Sequence, residues 1–347
     1  MKKKTVFVIG AGASKEAKLP TGYELKGNIS RLLDIRFDWR DQKSGDYVIC
    51  QALRLHVREH KEHPGDINPY IHEAWHIKDA LPQAISIDNL IDAHRGNEKL
   101  ALCGKLAIVR SILEAEKEST LFFERTRSDS NINFAALNNS WYLHFFQLLT
   151  ENCGADDLEE RFRSIALIIF NYDRCVEHFL RNALQNYYRI SEARAGELVN
   201  SIDIFHPYGK VGLLPWQGTS NTMEFGVEPN PEQLLRLAQD IKTFTEGTDP
   251  DSSEILAIRS HMSSANRLVF IGFAFHKLNM KLILPDNVEG IDAATIKVFC
   301  TTLGISESDK EVVAEMINEL YNCQLNIRMI NVTCNELFTE YWRSLSF

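Results

Sequence analysis

The chain has 347 residues, 44% of them hydrophobic and 24% charged, with a net charge of −9. That length suits one or two domains with a full core, and the acidic balance argues against a nucleic-acid-binding surface over the whole molecule, because phosphate contacts need clustered Lys and Arg. No run approaches ~18 continuous apolar residues, so neither a membrane span nor a secretory leader is expected. The seven cysteines, widely spaced and without a Cys-x-x-Cys pair, read as reduced thiols of a cytoplasmic protein.

Val6–Ile9 reads as a buried strand that runs straight into the turn Gly10-Ala11-Gly12-Ala13-Ser14 and then a helix. A strand, a glycine-rich turn and a helix in that order set backbone N–H groups and a helix N-terminus against a phosphate. Gly10 and Gly12 let the chain turn tightly and approach a ligand closely. Lys15 stands where a dinucleotide fingerprint has its third glycine, which disfavours a hydride-transfer enzyme. Leu19-Pro20-Thr21-Gly22 follows.

Between about Arg36 and Asn152 the pattern becomes helical with little strand signal. Ile87 to Leu106 and Trp141 to Leu149 carry apolar residues at three and four spacing, and Ser128–Asn133 reads as a polar loop. This stretch is expected to be a helical insertion covering a nucleotide cleft, with a separate helical domain as the alternative. It also holds His72-Glu73-Ala74-Trp75-His76, an HExxH that on a helix puts two imidazoles on one face, with Glu98 at a plausible distance for a third ligand. His56-Val57-Arg58-Glu59-His60 is the inverted form. The two motifs are mutually exclusive, crowd one His-rich stretch and lie close to Pro69. An exposed helix face is therefore preferred to a zinc hydrolase.

From Cys153 onward, strands alternate with helices. Ile165–Phe170, Ile202–Phe205, Leu268–Ile271, Ile296–Cys300 and Leu325–Ile330 read as buried strands, and Cys175–Tyr188, Pro231–Phe244 and Lys310–Tyr321 as helices. The alternation implies an α/β fold with a doubly wound, Rossmann-like parallel sheet. Residues 1–35 and 153–347 would form its core and 36–152 the insertion. Asn171-Tyr172-Asp173, His206-Pro207-Tyr208-Gly209 and Gly272-Phe273-Ala274-Phe275 with Asn279 each lie just past a strand, at the carboxyl end where open α/β sheets bind ligands. Other roles remain open for these residues. Asn171 suits a helix cap, Asp173 is favoured by the helix dipole alone, and His206 is one of eleven histidines.

GAGAS followed by LPTG, with the three later segments in this order, resembles the sirtuin (Sir2-type) superfamily, in particular the zinc-free bacterial sirtuin-like proteins of anti-phage defence. The matching parts run from Val6 to about Ile35 and from about Ile165 onward. Deacylating sirtuins carry a four-cysteine zinc module soon after the histidine motif, and Val211–Asn230 contains no cysteine. The resemblance implies an NAD+ glycohydrolase that cuts the nicotinamide–ribose bond and depletes NAD, with NAD as substrate and no metal. Asn171 and His206 correspond to the catalytic residues. Gly10, Ala11, Gly12, Ser14, Pro20, Thr21, Asp173, Gly272 and Asn279 correspond to NAD contacts, and Cys300 with Thr301 ends the strand where the family places adenine.

Nicotinamide departs neutral, so no strong general acid is needed. An amide oxygen that orients water and an imidazole that exchanges protons suit the reaction. Phe273 departs from the Gly-Ser/Thr form in lacking a hydroxyl. Core and insertion leave no stretch for a sensor domain, so control is expected from homo-oligomers or from a partner such as a HerA-type hexameric ATPase. No membrane or direct nucleic-acid partner is expected. Two alternatives are a catalytically silent NAD-binding regulatory subunit and, from Phe225-Gly226-Val227-Glu228, which is similar to the sirtuin FGE loop, an NAD-dependent protein deacylase.

Overall fold

The computed structural model describes residues 4–39, 41–60, 66–125, 131–244, 246, 252–285, 288 and 295–347. Residues 128–130 of the expected polar loop lie outside these. The chain opens with β1 (Lys4–Ile9), α1 (Ala11–Ser14) and α2 (Gly22–Leu33). A small hairpin, β2 (Arg36–Asp38) and β3 (Asp41–Ser44), precedes α3 (Tyr47–Glu59), α4 (Asn68–Ala80), α5 (Ile87–Ala93), α6 (Glu98–Glu118) and α7 (Trp141–Thr150). Next come α8 (Leu158–Arg163), β4 (Ile165–Ile169), α9 (Cys175–Tyr188), α10 (Glu192–Asn200), β5 (Asp203–Phe205), α11 (Pro231–Gln239), α12 (Ser253–Ser263) and β6 (Ala265–Ile271). The chain closes with α13 (Lys277–Leu282), β7 (Lys297–Thr301), α14 (Glu307–Glu319), β8 (Asn326–Ile330), α15 (Cys334–Glu340) and α16 (Trp342–Leu345).

Among the described residues the strands other than the hairpin form one parallel sheet in the order β5-β4-β1-β6-β7-β8. From β1 the chain moves outward through β4 to β5, then returns to the other side of β1 and runs through β6 and β7 to β8. This is the doubly wound, Rossmann-like order, and its direction reverses between β1 and β6.

The inner strands β1, β4, β6 and β7 are largely apolar on both sides because helices cover both faces. Val6 and Val8 point to one face with Ala166, Ile168, Leu268 and Phe270, under α2 to α6, α11, α12 and α14. Phe7 and Ile9 point to the other with Leu167, Ile169, Val269 and Ile271, under α7 to α10 and α15. The period-two alternation of a strand thus divides the interior into two cores. Helices of residues 36–152 contribute to both cores. Leu53, Ile71, Leu90 and Leu106 belong to the first, and Trp141, Phe145 and Leu149 to the second.

The expected strands all form, with ends shifted by a few residues. The helical pattern from Ile87 to Leu106 divides in two, since Gly96 takes φ +88° and the Asn97 side chain accepts from Leu100 N–H to start α6. Pro231 begins α11 as expected, but that helix stops at Gln239. The hairpin went unforeseen because its strands are short and mostly exposed, with no apolar alternation to mark them.

Three glycines fix the sheet's centre. Gly10 N–H donates to Ile271 O and Gly12 N–H to Gly272 O, each at 3.0 Å. A Cβ on Gly10 would stand 2.4 Å from Gly272 O, and one on Gly272 would stand 2.0 Å from Ala13 N, at φ +55°. Gly272→Ala is therefore expected to cost roughly 1–3 kcal/mol from backbone strain, before the clash is counted. Gly22→Ala meets nothing within 4 Å and should be neutral or slightly stabilising. Thermal unfolding of both variants checks the contrast, and equal melting temperatures would contradict the close-packing account.

Candidate active site

At the switch point, the carboxyl ends of the strands surround a cavity of about 720 Å³, within the ~300–1,000 Å³ usual for small-molecule sites. Gly10, Ala11 and Gly12 line it after β1, Pro20 and Thr21 before α2, and Asn171, Tyr172 and Asp173 after β4. Tyr208 follows β5, Gly272, Phe273 and Asn279 follow β6, and Thr301 ends β7. The opposite wall comes from the helical segment, through Ile85, Ser86, Asp88 and Asn89 at the start of α5 and Ile112 of α6.

Asn171 is buried against the glycine turn. Its Nδ2 donates to Gly10 O at 3.0 Å and to Ser14 Oγ at 2.8 Å, which fixes the amide orientation. Oδ1 is buried and has no partner. A buried acceptor left unpaired costs about 1–3 kcal/mol, so the site holds a place for a donor from a ligand or water. Ser14 Oγ donates in turn to Asp173 Oδ2 at 2.7 Å, and Asp173 Oδ1 accepts from Cys175 N–H at 3.1 Å at the start of α9. The helix-terminal role open to Asn171 thus falls to Asp173, and Ser14 sits behind the cavity wall as the link between them.

His206 is placed differently. Its Nδ1 bonds Asn171 O at 3.2 Å, its Nε2 bonds Glu177 Oε1 at 3.0 Å, and it does not line the cavity. Both ring nitrogens are thus engaged away from the cavity. Lys210 Nζ donates to the same Glu177 oxygen at 2.6 Å. Burial works to raise the Glu177 carboxyl, but the Lys210 ammonium and His206 outweigh it and hold the group well below the usual carboxylate range.

Asn279 is buried and accepts from Tyr208 Oη at 2.6 Å. Gly272 N–H donates to Thr301 Oγ1 at 2.8 Å, so that hydroxyl comes from β7, where the Gly-Phe segment has none. Cys300 lies inside the sheet, fully buried, with its thiol pushed far up by burial. Alternation turns Thr301 to the cavity in its place. The glycine turn also spends its donors internally, Gly12 N–H on Gly272 O and Ala13 N–H on Gly10 O. Positive charge at the rim comes from Lys15, ion-paired with Glu24 of the α2 capping box, and from Lys277.

Sequence reasoning missed Asp88. It is half-buried, lines the cavity and accepts from the Tyr172 hydroxyl. Burial pushes its carboxyl up to about 6 against the lowering effect of that bond, with Asp92 adding to the rise. Its only sequence mark is an acidic residue two places after the capping Ser86, ordinary in any first helical turn.

Elsewhere, Glu73 Oε2 bonds His76 Nδ1 at 3.1 Å on α4, and among the described residues no three His, Cys, Asp or Glu groups gather around one point. Gly226 N–H donates to Glu116 Oε2 at 3.0 Å, and Phe225 stacks on His178 at 3.9 Å between centroids. The segment similar to an FGE loop therefore borders a second cavity of about 640 Å³ and is absent from the first. No helix among the described residues is long and apolar enough to cross a membrane. No protein-family model matches the chain, and no curated protein matches it.

A depressed carboxyl stabilises the fold fully above its unfolded value, near 4.5 for Glu177, and loses that contribution as pH falls below it. Glu177→Gln leaves His206 and Lys210 without their counter-charge and is expected to cost on the order of 3 kcal/mol at pH 7. Denaturant titrations across pH should show the deficit shrinking below about 4.5. A deficit independent of pH would rule out the ionic account.

Proposed function

We propose that the protein is an NAD+ glycohydrolase, cleaving the nicotinamide–ribose bond in the cavity between β1 and β6. The observation that carries this is the Asn171 amide. Its two donor hydrogens are fixed by Gly10 and Ser14, and its free oxygen is buried at a Rossmann-like switch point, where dinucleotides bind. An uncharged, pre-oriented acceptor can hold a water or a ribose hydroxyl beside a developing oxocarbenium ion without reorganising. Phe170, Tyr172, Tyr208 and Phe273 give the cavity aromatic surface for a flat ring, and Lys15 and Lys277 bring charge for a pyrophosphate. The resemblance to sirtuin-like defence proteins extends the proposal to NAD depletion during phage infection.

Control is assigned to assembly. The chain is proposed to form closed homo-oligomers and to respond to a partner such as a HerA-type ATPase, so that the isolated protein turns over weakly and faster once assembled. One observation favours a second reading, a silent NAD-binding regulatory subunit: both nitrogens of His206 are engaged outside the cavity.

Mass spectrometry of NAD incubated with the purified chain, alone and at increasing oligomer content, separates the two. Nicotinamide and ADP-ribose in equal amounts are expected. Tight NAD binding without nicotinamide in any assembly state would favour the silent subunit. Asn171→Ala is expected to abolish turnover, and His206→Ala to reduce it at least ~100-fold through the Asn171 main chain that the ring holds. Wild-type rates in both variants at unchanged melting temperature would remove Asn171 and His206 from the reaction. Because the leaving group is neutral and calls for no Lewis acid, turnover is expected to survive a chelator.

A further inference from the structure

We propose that Asp88 is the general base that takes the proton from the attacking water. This rests on the glycohydrolase reading, and it gives the helical segment a share in the chemistry. The reaction needs a proton acceptor on the cavity side, where His206 presents no nitrogen.

The other carboxylates on the cavity wall are committed. Asp173 accepts from Ser14 Oγ and Cys175 N–H, and Glu16 accepts from Trp141 N–H at 2.7 Å and Asn335 N–H at 2.9 Å. Asp88 accepts from Tyr172 Oη on its Oδ1 and from its own main-chain N–H, with no donor from a second residue among those described. Tyr172 directly follows Asn171, and Asp88, Asn171 and Tyr172 all line the same cavity.

In the step itself, the bond from ribose C1′ to the pyridinium nitrogen breaks and its electron pair neutralises that nitrogen. A bond forms from the water oxygen to C1′, and the water proton passes to Asp88 Oδ2, which later releases it to solvent. The products are ADP-ribose, nicotinamide and one proton, so charge balances. Tyr172 engages Oδ1, which leaves Oδ2 as the proposed acceptor. The titratable and charged groups around Asp88 are Asp92 on its own helix, Tyr172 after β4 and Tyr208 after β5. Glu246 lies near Tyr172 and is paired with Lys105 at 2.7 Å. None of the partners is a cation held on Asp88, so the raised carboxyl keeps proton affinity in the range a base needs near neutrality.

The test is the pH dependence of nicotinamide release by the full chain, with NAD affinity measured in parallel by calorimetry. For the wild type, kcat should rise with pH through about 6 and then level, since the base acts only when deprotonated. Asp88→Asn should bind NAD with wild-type affinity, keep the wild-type melting temperature or exceed it, lose at least ~100-fold in kcat and lose the pH-dependent limb. Asp88→Glu should recover part of the rate with a shifted limb, and Tyr172→Phe, which removes the lowering hydrogen bond on Oδ1, should move the limb to higher pH and reduce kcat. An Asp88→Asn protein with wild-type kcat and an intact limb overturns the assignment while leaving the glycohydrolase standing. Loss of NAD binding in Asp88→Asn would make Asp88 a substrate-holding group and also overturn it. No nicotinamide from the wild type at any pH would overturn the glycohydrolase reading and this inference together.

Discussion

The contact on which the rest depends is backbone against backbone, where Gly10 and Gly12 at the end of β1 meet Gly272 at the end of β6. Any Cβ there would overlap main-chain atoms, which cannot move aside as a flexible side chain can. The contact decides more than local packing. It holds Gly10 O where Asn171 Nδ2 reaches it, holds Ser14 between Asn171 and Asp173, and leaves the Asn171 side-chain oxygen Oδ1 without a partner. A glycine turn that sequence alone presents as a phosphate cradle is thus used first to close the sheet, and only then to shape the site.

The same turn is fastened from behind. Trp141 Nε1 donates to Ala13 O at 2.9 Å, and Glu16 receives the main-chain N–H groups of Trp141 and Asn335, which tie the turn to α7 and α15. Burial raises the Glu16 carboxyl, and those backbone donors oppose the rise. Trp141 lies in the segment between β3 and β4, so that stretch does more than roof the cleft. Removing it would uncover both faces of the sheet and release the turn.

How far the sequence was legible follows from what leaves a periodic mark. Strands buried on both faces must be continuously apolar, so Val6–Ile9 and Ile165–Ile169 stand out, and their order along the chain leads to the doubly wound sheet. Cavities at strand ends follow from topology, and Asn171, Gly272 and Asn279 line this one. His206 also follows a strand, but the direction of its ring is set by Asn171 O and Glu177, distant in sequence, and no linear pattern encodes that. Cys300 and Thr301 are adjacent in sequence and opposite in the strand, so a one-residue difference exchanges a sheet-interior thiol for a cavity hydroxyl. Asp88 left no mark because its sequence context is that of an ordinary helix start. Its environment is set by burial in the cavity wall and by the contact with Tyr172, far along the chain.

The cavity therefore has two chemically different halves. The strand ends contribute glycines, amides and hydroxyls, with Lys15 and Lys277 at the rim, and their wall carboxylates are occupied, Asp173 by Ser14 and Cys175 and Glu16 by Trp141 and Asn335. The half supplied by α5 and α6 contributes apolar surface and the carboxyl of Asp88. In the proposed reaction the base comes from the helical half, so that half must be seated against the strand ends. Asp88 reaches the site only through the first turn of α5, whose Ile87, Leu90 and Ile91 pack into the same core as Val6 and Val8. Seating that helix thus couples the position of Asp88 to the packing of the whole upper face, and anything that shifts α5 by a fraction of a turn changes chemistry before it changes binding. That gives the assembly-based control proposed for this protein a defined place to act.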